Sequence, residues 1–157
     1  MKIRLASSPD WSAICEIYNS VRLRQFSWID PATIEPDDIR RDSDGEEIHV
    51  AVKGGAILGF ISVWSPESFI HHLFVSPDSQ GQGVGVRLLE FACDAYQSPL
   101  RLKCVQMNEK ALNFYKRNCW AVIDEGTSED GSYLLMEYSK PNQAVVSTPF
   151  RVPRFTT

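Results

Sequence analysis

Polar and apolar residues alternate from Lys2 to Ala6, the period-two pattern of a short edge strand. Ser8-Pro9-Asp10 then offers an N-cap and a proline suited to a first helical turn. Trp11, Ile14, Cys15 and Tyr18 recur at helical spacing, predicting a helix over about residues 9 to 21. The period fades from Phe26 to Glu47, a stretch rich in Asp and Glu with Pro31, Pro36 and Gly45, which reads as a loop with one short helix near Pro36 to Arg41. His49–Lys53, Gly54-Gly55 and Ala56–Trp64 predict a tight hairpin, and Ser68–Val75 a third strand-like run. Turn chemistry fills Pro77–Gly83. Val84, Leu88, Phe91, Ala92 and Ala95 then mark one face of a helix that Pro99 stops. Leu100–Val105 is a strand and Asn108–Asn118 a helix. Trp120–Glu125 and Tyr133–Tyr138 are two last strands around a polar turn over Gly126–Ser132.

This order, β-α-(α)-β-β-β-α-β-α-β-β, predicts a mixed α/β (α+β) domain on a mostly antiparallel sheet. Its Ser68–Val105 unit should be a parallel, right-handed crossover. One domain is expected over residues 1–140. The irregular, proline-interrupted segment 141–157 is expected to be either a disordered tail or an arm docked on a neighbouring subunit of a homodimer.

Composition narrows the class. The chain has 157 residues, 43% hydrophobic and 23% charged, which fits one ordinary globular domain that needs no staple. Its four cysteines are widely spaced with no C-x-x-C pair, which argues for reduced thiols and against a zinc site. A net charge of −4 lacks the clustered Lys and Arg of a nucleic-acid binder. No apolar run approaches the ~20 residues of a membrane span, and Met1-Lys2-Ile3-Arg4 begins no signal peptide, so the expected compartment is the cytoplasm.

The sharpest chemical signal is Gln80-Gly81-Gln82-Gly83-Val84-Gly85-Val86, between a strand and a helix. Glycines let the backbone approach a ligand closely, and the unpaired first amides of the helix form an anion cradle suited to a pyrophosphate. The P-loop pattern fails, because Val86 and Arg87 stand where lysine and a hydroxyl are needed. The dinucleotide pattern fails at Val86. The Gln-x-x-Gly-x-Gly spacing instead resembles the acetyl-CoA pyrophosphate loop of the GNAT (GCN5-related N-acetyltransferase) family. Downstream, Asn108-Glu-Lys-Ala111-Leu-Asn-Phe114-Tyr115 resembles the family's Asn-x-x-Ala-x-x-Phe-Tyr segment. It departs where Cys119-Trp120 replaces Gly-Phe, and there Asn118 is expected to take over the left-handed helix cap.

The resemblance implies a three-layer fold with a splayed central parallel strand pair, and transfer of an acetyl group from acetyl-CoA to a primary amine, with no metal. It implies that the backbone at Phe74 and Val75 pairs with the pantetheine arm and that amides from Gln80 to Val86 hold the pyrophosphate. Asn108 would touch the pantetheine, cap its own helix, or both. Tyr115 would protonate the departing thiolate, or serve as a buried aromatic.

No carboxylate marks the general base. His71 and His72 lie on the strand before the loop, and alternation along a strand should let only one face a given side. Either histidine is a chemically reasonable base, His72 the marginal choice, and a water relay serves as well. The acidic 26–47 loop is either a solvated surface or the receiver of a cationic amine. The alternative reading of the whole is an acyl-CoA-binding sensor or assembly module that has lost transfer, kept open by Lys103 where relatives place a carboxylate.

Overall fold

The structure, a computed structural model, describes residues 1–140; the tail predicted over 141–157 lies outside the described residues. Seven strands form one sheet in the order β1-β2-β3-β4-β5-β7-β6. They are β1 (Lys2–Leu5), β2 (Glu47–Lys53), β3 (Ala56–Trp64), β4 (Phe69–Val75), β5 (Leu100–Val105), β6 (Ala121–Ser128) and β7 (Gly131–Tyr138). Every neighbouring pair is antiparallel except β4–β5, the predicted parallel pair. Helices α1 (Trp11–Gln25) and α2 (Asp38–Asp42) cover one face; α3 (Val84–Ala95) and α4 (Glu109–Arg117) cover the other.

Two apolar cores follow from this layering. Ile14, Ile17, Tyr18 and Val21 of α1 recur at helical spacing and pack with Ile39, Val50, Phe60 and Phe74. On the opposite face Val84, Leu88, Leu89 and Ala92 of α3 meet Ile61, Val63, Ile70 and Leu102. α1 runs four residues beyond its predicted end, through Arg22, which pairs with Asp38, and the exposed Leu23, Arg24 and Gln25. The β6–β7 turn is tighter than predicted, with both strands reaching to Ser128 and Gly131.

Strand β4 carries the feature that positions the site. Opposite β3, Ser62 pairs with His72 but Val63 pairs with Ile70, so His71 is an extra residue, a β-bulge. Ile70 and Leu73, which strict alternation would put on opposite faces, both join the α3/α4 core. His71 and His72 accordingly turn to the same side, their ring centroids 3.8 Å apart. The expectation that only one of them could face a given side is therefore corrected, because the bulge breaks the period of two.

The end of α4 corrects a second expectation. Cys119, not Asn118, takes the left-handed conformation, at φ 69°, while Asn118 stays at φ −98°. The Trp120 amide donates to the Tyr115 carbonyl at 3.0 Å and the Cys119 amide to that of Lys116 at 3.2 Å, a Schellman closure. The Tyr115 and Trp120 rings, 5.9 Å apart, supply its apolar contact. Closure fixes the left-handed position at residue 119 whatever stands there. Cys119→Gly should therefore raise stability by about 1 kcal/mol, the approximate cost of a Cβ in that conformation. A denaturant melt of the variant checks this, and an unchanged midpoint would contradict it.

Candidate functional site

Parallel pairing of β4 and β5 is short: Phe69–Arg101 and Ile70–Leu102, and no further. Beyond Ile70 the edge of β4 toward β5 has no strand partner among the described residues, and the strands diverge. Three cavities occupy and flank the cleft. One of about 450 Å³ lies at the glycine loop, one of about 70 Å³ between the strands, and one of about 490 Å³ toward α1 and α2. All three share Phe26 and Phe74 in their walls.

The loop cavity is lined by most of the residues named as cofactor-binding candidates. Phe74, Val75, Gln80, Gly81, Gly83, Val84, Gly85, Val86 and Asn108 all line it; Gln82 does not, its amide donating instead to the Asp78 carbonyl at 3.4 Å. Gly83 caps α3 at φ 82°, and a Cβ there would meet nothing within 4 Å, so the space above the first α3 amides is open. Those amides and the positive end of the α3 dipole can hold an anion. Sequence reasoning missed two cations in the same wall, Lys110 and Arg117. The Lys110 ammonium donates to Gln80 Oε1 at 2.7 Å. Asn108 accepts from the Ala111 amide at 3.2 Å, so it caps α4 while facing the cavity; its two readings are compatible.

In the cleft, Tyr115 lines both the loop cavity and the small one and is 8% exposed. Burial pushes its phenol well up, so the hydroxyl keeps its proton at neutral pH. Burial also pushes the Cys104 thiol up to about 12, which leaves almost no thiolate there. Lys103 lines the small cavity with its ammonium 4.7 Å from the Tyr133 ring centroid, and desolvation lowers its pKa.

The third cavity holds the residues that sequence reasoning could not assemble. His71 and His72 line it, and Glu46 stands behind them with no part of its side chain exposed. Glu46 Oε2 lies 2.5 Å from His71 Nδ1, and Ser62 Oγ donates to Glu46 Oε1. Burial works to raise the Glu46 carboxyl, but the His71 contact foremost holds it down, at about 2. His72 Nδ1 is 3.7 Å from Glu46 Oε1, beyond hydrogen-bond reach. Burial pushes that imidazole down to about 4, with Glu46 opposing. Nothing local flags Glu46: it sits in an acidic run and reaches His71 only because β2, β3 and β4 are neighbours.

The 26–47 segment is more than a solvated acidic loop. Phe26 and Trp28 stack with centroids 4.6 Å apart at the cavity mouth, and Asp42 accepts from the Tyr18 hydroxyl at 2.7 Å. Asp38 fastens it to α1. Its carboxylate, 2% exposed, receives Arg22 Nη1 at 2.9 Å and the Glu35 amide at 2.9 Å.

A helix start beside an open cavity, parallel strands that part after two residue pairs, and a second cavity beyond them make up this site. Residues 11–119 match the Acetyltransferase (GNAT) family, and the chain belongs to it. The L-amino acid N-acyltransferase MnaT of Escherichia coli (strain K12) is 31% identical over 106 residues, 60% of this chain and 62% of that protein. The peptidyl-lysine N-acetyltransferase YiaC of the same organism is 30% identical over 70 residues, 45% and 47% of the two chains. The chain thus spans less than two thirds of these curated relatives. Among solved structures, apo YjaB from Escherichia coli superposes with TM-score 0.75 at 22% identity, over 87% of this chain and 96% of that one. The yncA acetyltransferase of Salmonella typhimurium, solved with acetyl-CoA, gives TM-score 0.67 at 20% identity over 94% and 99%. These last two likenesses establish the fold.

Asp38→Asn leaves Arg22, only 11% exposed, without its charge partner, and should cost about 3 kcal/mol. Burial works to raise the Asp38 carboxyl, but the Glu35 amide and Arg22 outweigh it and hold it below the ordinary 3.8. Because the folded value is the lower one, this contribution is full above that pH and fades as the pH falls below it. Melts of wild type and variant should differ most at neutral pH and converge in acid; a constant difference would contradict the pairing.

Proposed function

We propose that the chain is an N-acetyltransferase that moves an acetyl group from acetyl-CoA to a primary amine by direct attack in a ternary complex. The observation that carries this reading is the run of three adjacent cavities with shared walls, at the glycine loop, in the β4–β5 cleft and at His71. A donor threaded from one side and an acceptor entering from the other meet between Tyr115 and the paired histidines.

The α3 amides with Lys110 and Arg117 receive the phosphates, and the unpaired edge of β4 at Phe74 and Val75 receives the pantetheine amides. An ammonium acceptor must lose a proton before its nitrogen can attack. His71, oriented by Glu46, takes it, directly or through water, while His72 lies beside it. The neutral nitrogen bonds to the thioester carbon, the C–S bond breaks, the thiolate takes the proton that Tyr115 holds, and the proton shed by the newly bonded nitrogen restores the Tyr115 phenol. A covalent acyl-cysteine route is disfavoured by the raised Cys104 thiol. The stacked Phe26 and Trp28 suit a cationic amine, and of the charges around the same cavity Asp44 and Asp130 favour it while Arg41 pairs with Asp42 and Arg22 with Asp38.

Calorimetry with acetyl-CoA tests the donor site. Wild type should bind, and Gly83→Trp, whose side chain would fill the open space over α3, should lose at least tenfold in affinity. A wild type that fails to bind would sink both the transferase reading and the sensor alternative. Steady-state kinetics test the proton path. Glu46→Gln should lower kcat on the order of a hundredfold with little change in KM for acetyl-CoA, and Tyr115→Phe on the order of tenfold. Equal kcat in Glu46→Gln and wild type would remove His71 and Glu46 from the mechanism.

A further inference from the structure

The side chains that make a proton acceptor also make a ligand set. Glu46, His71 and His72 each bring a donor atom within 4.8 Å of the other two. The bulge at His71 creates this closeness, since two adjacent residues of an unbroken strand point to opposite faces. A second observation is independent of the clustering. Both ring nitrogens of His72 are buried and have no hydrogen-bond partner among the described residues, with the side chain only 2% exposed. A buried imidazole with neither nitrogen satisfied is rare and calls for an occupant. Tyr18 packs edge-on against the ring at 5.4 Å and Phe74 lies 6.0 Å away, so its apolar walls offer no partner.

We propose that Glu46, His71 and His72 form a binding site for a zinc-class divalent metal ion, reached through the cavity beside α1 and α2. Two imidazole nitrogens and one carboxylate oxygen are a donor set for Zn²⁺ and its first-row neighbours, whereas Ca²⁺ and Mg²⁺ require oxygens. Bonds of 2.0–2.1 Å arranged tetrahedrally place ligand atoms about 3.3 Å apart. Glu46 Oε2 lies 2.5 Å from His71 Nδ1 and Glu46 Oε1 3.7 Å from His72 Nδ1, and one donor atom from each residue lies within 4.8 Å of the other two, so side-chain rotation must draw them to that spacing. Three protein ligands leave a position open toward the cavity. Coordination at His71 Nδ1 displaces the proton between it and Glu46, which passes to solvent. The metal thereby takes the nitrogen through which Glu46 orients His71 for the acceptor's proton. It acts as an inhibitor of transfer, not as its cofactor.

Metal binding is read without turnover, so this proposal and the transferase reading can fail separately. Calorimetry of the whole chain with Zn²⁺ should give a single equivalent. His72→Phe, which keeps an aromatic ring against Tyr18 and Phe74, should weaken binding at least tenfold, while Cys119→Ser, at the exposed thiol, should leave it unchanged. Co²⁺ on the wild type is the second measurement and stands even if His72→Phe does not fold. Its spectrum should show a d–d band of low-symmetry coordination with no thiolate charge-transfer band. No Zn²⁺ binding, equal binding by folded His72→Phe, or a thiolate band would each overturn the site.

Discussion

Everything at the centre of this protein depends on how briefly β4 and β5 pair. Two residue pairs hold them together, and then they part. A parallel pair in a buried sheet normally continues until its backbone groups are used. Here the divergence leaves an open strand edge through the middle of the domain, with the loop cavity on one side and the histidine cavity on the other. α3 and α4 wall the first; α1 and the 26–47 segment wall the second. β4 takes part in both cores, Phe74 in one and Leu73 and Val75 in the other.

The bulge at His71 does for the acceptor side what the glycine turn does for the donor side. Each is a local departure from regular geometry that aims polar groups into a cavity. The glycine turn exposes helix amides, and the bulge places two imidazoles side by side over a buried carboxylate. Glu46 is held by Ser62 from the neighbouring strand as well as by His71, so its position depends on the register of three strands at once. A carboxylate fixed on both oxygens orients the imidazole without being exposed to solvent or substrate.

What could be read from the chain was what is encoded locally. Element order, the parallel unit and the glycine loop follow from periods of two and 3.6 and from residue types with strong backbone preferences. Asn108 as a helix cap and Tyr115 on the inner face of α4 were legible for the same reason. The bulge was not, because no residue near 71 announces it; it arises from how β3 and β4 pair. Glu46 was hidden in an acidic run and acquires meaning only through a partner 25 positions away. Lys110 and Arg117 carry no local signal, because only the placement of α4 beside the loop brings them to the cavity wall. The left-handed residue after α4 was misplaced by one position, because propensity favours Asn while the Schellman closure selects the site by geometry.

The most direct test of the central claim, that the cleft joins a donor to an acceptor, is acceptor-dependent release of CoA thiol from acetyl-CoA by the wild-type chain. It would be measured across primary amines that include free amino acids, diamines and lysine peptides. Release that rises with one class of amine and saturates is the predicted result. Acetyl-CoA binding with no amine-dependent release across that panel would contradict it and leave a domain that holds the carrier without using it.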